Sequence, residues 1–257
     1  MIAELKSIRW TPELVEKFWH GFGSTRCSRQ FAFSRQAGKS FITAIAHLLP
    51  DNGTILDYGA GDGYLVGLLC ERGLRTAAYE PSRVRAQKLE ELLGAAPTFL
   101  GAVSADNTDL YDVVIAAEVI EHVLDEELDF FLNRLRALVR PNGLLILTTP
   151  NNEDLELGMA YCPVSETLFH RWQHVRAFTD TTLVTLLEKY GFEELVTHQV
   201  GFVDSQFVPY DPIFNGSEKD PIIPSHIQSL RANQPTKMGS ESNLLFIGRR
   251  PAVDSSL

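Results

Sequence analysis

Two carboxylates and an imidazole stand close together in the middle of the chain. Glu118, Glu121 and His122 follow a buried apolar segment at positions i, i+3 and i+4. On a helical turn, this spacing places the three side chains on one face. Carboxylate oxygens and imidazole nitrogens suit a divalent ion such as Mg, Mn or Zn. His170 and His174 repeat the i, i+4 spacing later in the chain, so both could face one site.

These groups have three interpretations, all of which the sequence leaves open. In the first, a divalent ion is bound by one donor set: Glu118, Glu121, His122 and His174. In the second, catalysis needs no metal, and His122 or His174 acts as a general base with Glu121 beside it. In the third, the groups are structural and hold together the turn that follows the strand.

An apolar strand, a glycine-rich turn and an apolar helix start follow one another in residues 54–69, TILDYGAGDGYLVGLL. Glycine lets the backbone approach a ligand closely, and the free N–H groups at a helix start face that ligand. The G-x-G-x-G spacing is not the G-x-G-x-x-G of a dinucleotide site. Asp57 would repel a pyrophosphate, but it suits a cofactor that carries an ammonium and a sulfonium. Glu80 ends the next strand about 20 residues on, where an acid accepts both hydroxyls of a ribose.

This strand–turn–helix unit resembles motif I of the class I S-adenosylmethionine (SAM) methyltransferases. The resemblance implies that SAM is the cofactor, and the cofactor contacts are Asp57, Gly59, Ala60, Gly61, Gly63, Glu80 and Glu118. The segment EVIEHV at 118–123 resembles both ubiquinone-type O-methyltransferases and small-RNA 3′-terminal 2′-O-methyltransferases. In the latter family this motif and one more His after the fifth strand coordinate a magnesium-like ion. His174 is the best match to that His here.

Strands and helices alternate along the chain, which predicts an α/β fold with a doubly wound, mostly parallel sheet. The resemblance implies a Rossmann-like sheet of seven strands, with the last strand antiparallel to the sixth. The strands are predicted at 54–56, 75–79, 97–100, 111–116, 144–149, 192–201 and 244–248.

We expect a single methyltransferase domain over 1–257. Residues 1–50 are predicted to form a helical segment rich in aromatic residues. These aromatics either act as a lid over the cofactor or only pack in the core. Two insertions are expected near the acceptor, an irregular one at 153–178 and a long one at 203–242, before the last strand.

Composition restricts the partners and the compartment. The net charge of −10 and the pI near 5.2 disfavour a nucleic-acid partner, because proteins that grip phosphate backbones usually carry a basic face. No run of about 18 apolar residues and no leader-like N-terminus is visible, so neither a membrane span nor a secretory signal is predicted. Three widely spaced cysteines fit a reduced, cytoplasmic protein. A homodimer is compatible with the sequence.

The leading hypothesis is methyl transfer from SAM to a small-molecule acceptor, preferably at a hydroxyl, with or without help from a metal. One alternative is 2′-O-methylation of an RNA 3′ end. An alternative of another class is a non-catalytic module that binds SAM or a nucleoside. Arg171 and Arg176 could bind an anionic group on the acceptor, because Arg pairs bidentately with carboxylates and phosphates, or they could form salt bridges within this acidic protein.

Overall fold

The computed structural model describes residues 6–216 and 222–252. The parts of the predicted lid, long insertion and domain that fall on 1–5, 217–221 and 253–257 lie outside the described residues.

The strands, in chain order, are β1 (Lys6–Ser7), β2 (Thr54–Tyr58), β3 (Arg75–Tyr79), β4 (Phe99–Ala102), β5 (Tyr111–Ala117), β6 (Val139–Pro150), β7 (Met159–Cys162), β8 (Thr167–His170), β9 (Glu193–Val200), β10 (Lys237–Met238) and β11 (Asn243–Arg249). The helices are α1 (Pro12–Gly23), α2 (Arg26–Phe31), α3 (Phe33–Ile45), α4 (Tyr64–Glu71), α5 (Arg83–Leu93), α6 (Asp125–Leu138), α7 (Asp180–Lys189), α8 (Asp204–Phe207), α9 (Pro212–Asn215) and α10 (Ser225–Arg231).

Among the described residues, one mostly parallel sheet of eight strands forms the centre of the fold, in the order β10-β9-β11-β6-β5-β2-β3-β4. Its neighbours pair in parallel except at β11, which runs antiparallel to both β6 and β9. The predicted α/β, doubly wound class is therefore confirmed. The predicted count of seven is wrong by one, because the two-residue strand β10 adds to the edge of β9. A strand that short has no periodicity to detect.

The central strand β5 is buried on both faces. Val114 and Ala116 pack on one side with core residues of α6 and α7, while Val113 and Ile115 pack on the other side with residues of α3 and α4. A parallel strand covered by helices on both faces is an unbroken apolar run, which is why its sequence predicts it well.

The predicted insertion at 153–178 is not irregular. Strands β7 and β8 form an antiparallel hairpin there, and β1 pairs in parallel with β8 to complete a second sheet of three strands. These strands have two to four residues each, so they show no periodicity. The hairpin ends at His170, whose side chain lies in the site.

In the central sheet, the predicted strand at 97–100 begins two residues later, at Phe99.

The long insertion at 203–242 contains α8, α9, α10 and β10. Asp211 fastens it to the core, because its carboxylate accepts hydrogen bonds from Thr43 Oγ1 at 3.0 Å and from Arg72 Nη1 at 2.5 Å. Within 6–216 and 222–252, no helix has the length and apolar character needed to cross a membrane.

Candidate active site

A cleft of about 860 Å³ opens at the carboxyl ends of the central strands. Its position is the point where the strand order reverses, since β3 lies on one side of β2 and β5 on the other. Open α/β sheets bind ligands at such a switch point. Gly59 and Glu80 line the cleft on the sheet side, Glu118 and His122 line it after β5, and Trp19 of α1 lines it from above.

The glycine turn after β2 is shaped by left-handed backbone. Gly59, Gly61 and Gly63 have φ angles of 92°, 60° and 77°, which side-chain-bearing residues rarely adopt. Gly59 and Ala60 both donate their N–H groups to the carbonyl of Tyr79, at 2.8 and 2.9 Å. A Cβ atom at Gly59 would lie 2.6 Å from Val119 Cγ2. The turn is therefore packed against the segment that follows β5.

Glu80 is held in place at the end of β3. Its Oε2 accepts the N–H of Gly61 at 2.9 Å, and its Oε1 accepts the N–H of Ser82 at 3.0 Å. Burial raises the pKa of Glu80, against the opposing effects of the nearby Arg85 guanidinium and these two donors. A carboxylate has about four acceptor positions, so Glu80 can still accept hydroxyl donors from the cleft.

Asp57 lies in β2 directly before the turn and is only 3% exposed. Burial raises its pKa to about 7, and the charges of Glu80 and Asp62 add to this effect. A cationic ligand at the turn would offset the cost of this buried carboxylate.

The structure brings together three of the four predicted metal ligands. Glu121, His122 and His174 each offer one donor atom, and these atoms lie within 4.8 Å of one another. Glu118 is outside this group. Its φ of 53° is left-handed, and the helical turn Ile120–His122 begins only after it, so the expected common face does not include Glu118. Its Oε1 instead accepts a hydrogen bond from Asn243 Nδ2 at 3.1 Å.

Burial dominates the electrostatics of this group. It raises the pKa of Glu118 to about 7 and that of Glu121 well above its usual range, where the charge of Glu118 contributes further. Burial, followed by the neighbouring His174, lowers the pKa of His122 to about 3, so the imidazole is neutral. Glu121 Oε1 and His122 Nδ1 have no hydrogen-bond partner within the described part of the chain. Such buried atoms cost about 1–3 kcal/mol each, and a divalent ion fits them and the donor set.

The sequence patterns did not identify Glu153 as a site residue. In the structure it forms a second donor group with His170 and His174. Its Oε2 lies 2.5 Å from His174 Nδ1, and its Oε1 lies 3.5 Å from His170 Nε2. Burial alone would raise the pKa of Glu153, but the neighbouring His170 and His174 imidazoles outweigh burial and lower the pKa to about 2. Its position shortly after the carboxyl end of β6 was the available signal.

Neither of the two arginines proposed for an anionic acceptor is among the described residues that line the cleft. Arg176 donates to the carbonyl oxygens of Ile120, at 2.9 Å, and Val123, and it pairs with Asp125. It therefore braces the turn that carries the donor group. Arg171 is exposed and lies against the ring of Trp172.

Helix α1 contacts the site through Trp19. The indole meets the ring of His122 edge to face at 5.0 Å, and its Nε1–H donates to Gln173 Oε1 at 2.9 Å. Gln173 is fully buried, and its Nε2 donates to the carbonyl of His122 at 2.9 Å. One buried amide thus connects α1 to the turn that holds His122.

The profile of a family described as a methyltransferase domain matches residues 31–199. The chain belongs to the class I SAM-dependent methyltransferases. The family predicted from motif I is therefore confirmed. A ubiquinone biosynthesis O-methyltransferase of Bradyrhizobium diazoefficiens is 30% identical over 162 residues, which cover 60% of this chain and 62% of that protein. A tRNA carboxymethyltransferase of Ruthia magnifica is 27% identical over 178 residues, covering 61% and 55%.

The chain thus spans about 60% of the length of the curated relatives it matches. Among solved structures, a 1,6-didemethyltoxoflavin methyltransferase of Burkholderia thailandensis with bound S-adenosylhomocysteine is similar, with a TM-score of 0.61 and 17% identity. The similarity covers 96% of this chain and 93% of that one. At this identity it supports the fold alone.

Proposed function

We propose that this methyltransferase moves the methyl group of SAM to a hydroxyl of a small molecule. One observation carries the proposal, namely that a single cleft joins a nucleoside-type site at Gly59 and Glu80 to the buried donor group at His122. The relatives named as ubiquinone O-methyltransferases support a hydroxyl acceptor.

The cofactor-side residues have distinct roles in this proposal. Glu80 accepts the ribose hydroxyls with its remaining lone pairs. The negative charges of Asp57 and Glu118 offset the positive charge of the cofactor. The turn glycines, including Gly61, let the backbone approach the ligand.

Methyl transfer is an in-line displacement. The bond between the methyl carbon and sulfur breaks, its electron pair stays on sulfur, and the acceptor oxygen forms the new bond to carbon. The products are S-adenosylhomocysteine and a methyl ether, and the hydroxyl proton leaves to water at the cleft mouth. The protein contributes the alignment of the two reactants and the exclusion of bulk water from between them.

We also infer that Glu121, His122 and His174 hold a divalent ion, with Mg, Mn and Zn as candidates. When bound, such an ion lowers the pKa of the acceptor hydroxyl. The unpartnered Glu121 Oε1 and His122 Nδ1 support this role. The competing role of His122 as a metal-free general base is less favourable, because a group with a pKa of about 3 is a weak base near neutral pH.

The dimensions and charge of the cleft favour a small acceptor over RNA. A cleft of about 860 Å³ is of the size that encloses small ligands. Exposed Glu16, Glu126 and Glu127 line it, and its acidic side chains outnumber Arg83 and Arg85. The lining therefore disfavours a phosphate backbone. The wall formed by Trp19 and Phe130 offers apolar contact to an organic ring or chain.

The proposal is tested by methyl transfer from labelled SAM to a panel of phenols, catechols and sugars and, separately, to short RNAs. We expect transfer to a small hydroxyl compound, its loss in His122→Ala with SAM still bound, and unchanged transfer in the control His226→Ala, which alters an exposed His of α10. Transfer to the 3′-terminal ribose of RNA and to no small molecule would contradict the proposal. Activity that survives exhaustive chelation would contradict the metal role alone.

A further inference from the structure

A carboxylate and a second imidazole contact His174, whose ring also contacts that of the cleft-lining His122. Glu153 Oε2 lies 2.5 Å from His174 Nδ1, and the backbone N–H of His174 donates to His170 Nδ1 at 3.0 Å. The rings of His170 and His174 stack at 4.6 Å with an interplanar angle of 24°. His174 is therefore fixed by both its backbone and its ring.

These contacts define the protonation of both rings. An ionised carboxylate only accepts hydrogen bonds, so Nδ1 of His174 carries a hydrogen, and in the neutral ring the lone pair is at Nε2. His170 Nδ1 accepts a hydrogen bond and so carries a lone pair, which places its proton at Nε2, 3.5 Å from Glu153 Oε1. Glu153 therefore hydrogen-bonds His174 through Oε2, while His170 Nε2 lies near Oε1 without a hydrogen-bond partner among the described residues.

The second donor group is too crowded to hold an ion itself. A Cβ atom built on Gly158 would lie only 1.8 Å from His170 Nε2, so the Gly158 backbone presses against that nitrogen. An ion with its ligands needs about 2.0–2.2 Å to each donor and space beyond it. His174 also belongs to the donor group of Glu121 and His122, and the rings of His122 and His174 are 4.8 Å apart.

We propose that Glu153 and His170 are positioning residues that hold His174 in its Nδ1–H form, so that the Nε2 lone pair serves the donor group of Glu121 and His122. This inference rests on the proposed metal role of that group. A carboxylate that accepts the far N–H of a ligating His fixes its tautomer and strengthens it as a ligand, and loss of such a partner typically costs about 10–100-fold in metal affinity.

The first test reads the tautomer and needs no metal. Long-range proton–nitrogen NMR on metal-free protein labelled with ¹⁵N-histidine reports which nitrogen of each ring is protonated, and His174→Gln identifies the His174 signals. We expect Nδ1–H at His174 in the wild type and in Glu153→Gln, whose amide oxygen still accepts. We expect Nε2–H in Glu153→Leu. The Nε2–H form in the wild type, or no change in Glu153→Leu, would overturn the inference.

The second test measures binding of Mn²⁺ alone by electron paramagnetic resonance. We expect affinity to fall about 10–100-fold in Glu153→Leu and less in Glu153→Gln, while SAM affinity stays at the wild-type value because Glu153 does not line the cleft. Equal Mn²⁺ affinity in all three proteins would overturn the positioning role. A wild type that binds no Mn²⁺ but shows the expected tautomer would refute the proposed metal and leave the tautomer assignment standing. If Glu153→Leu loses SAM binding through misfolding, His170→Ala takes its place: we expect weaker Mn²⁺ binding at wild-type SAM affinity, and wild-type Mn²⁺ affinity would overturn the positioning role of His170.

Discussion

Replacing Asp57 with Asn should stabilise the free protein and weaken SAM binding. The pKa of Asp57 rises from 3.8 to about 7, and each unit is worth about 1.36 kcal/mol, so ionising this carboxyl costs the folded state up to about 4 kcal/mol. Asn removes that cost. Between pH 3.8 and pH 7, the carboxyl of Asp57 is protonated in the folded state and ionised in the unfolded state. The wild type therefore gains stability as pH falls from 7 to 3.8. The advantage of the variant should therefore be full above pH 7 and nearly absent near pH 4.

Urea unfolding at pH 8 and pH 4 measures this difference, and calorimetry measures SAM affinity. Loss of a charge-assisted contact is worth about 1.5–3 kcal/mol, so we expect binding about 10–100-fold weaker. Asp51→Asn removes the same charge from an exposed turn and should alter neither quantity. A variant with wild-type stability at pH 8 would refute the burial argument. Wild-type affinity for SAM would refute the role of Asp57 at the cofactor.

Three further substitutions test the glycine turn at Gly59, the contacts of Arg176 and the contact of Trp19 with the cleft. Gly59→Ala should lower the free energy of unfolding by about 2–3 kcal/mol, because of left-handed strain and a clash with the segment after β5. The control Gly21→Ala, in open space within α1, should be neutral or stabilising. Equal stabilities of the two variants would contradict this prediction. Arg176→Met should lower the free energy of unfolding in urea by about 1–3 kcal/mol and leave the KM for the acceptor unchanged. A raised KM at unchanged stability would mean that Arg176 binds the acceptor. Trp19→Leu should speed SAM dissociation in stopped-flow measurements, because the hydrogen bond from α1 to Gln173 is lost, and an unchanged rate would argue against a lid.

Local backbone rules made the cofactor side of the cleft predictable. The turn needs residues with positive φ, and only glycine adopts that conformation at low cost. The turn is therefore visible in the sequence as Gly59, Gly61 and Gly63. Glu80 was predictable because it follows the last residue of β3. Since β2 and β3 are parallel neighbours, the end of β3 lies beside the turn that follows β2.

The acceptor side depends on contacts between distant parts of the chain. Glu118 was expected to share a helical face with Glu121, but its left-handed backbone and its bond to Asn243, which is 125 residues away, turn it out of the donor group. Glu153 reaches His174 because the chain returns after the β7–β8 hairpin and pairs Phe178 with Asn151, next to the end of β6. The pairing of β1 with β8 joins two segments about 160 residues apart, and no periodicity within either strand reports it.

The most direct test of the central claim locates the methyl group of bound SAM. Protein saturated with SAM that carries a ¹³C-labelled methyl group can be studied by NMR for contacts between that methyl and ring protons, with Trp19→Leu and His122→Gln used for assignment. We expect nuclear Overhauser effects from the methyl group to the rings of His122 and Trp19, because both line the same end of the cleft. Saturating SAM with methyl contacts to neither ring would contradict the proposed active site.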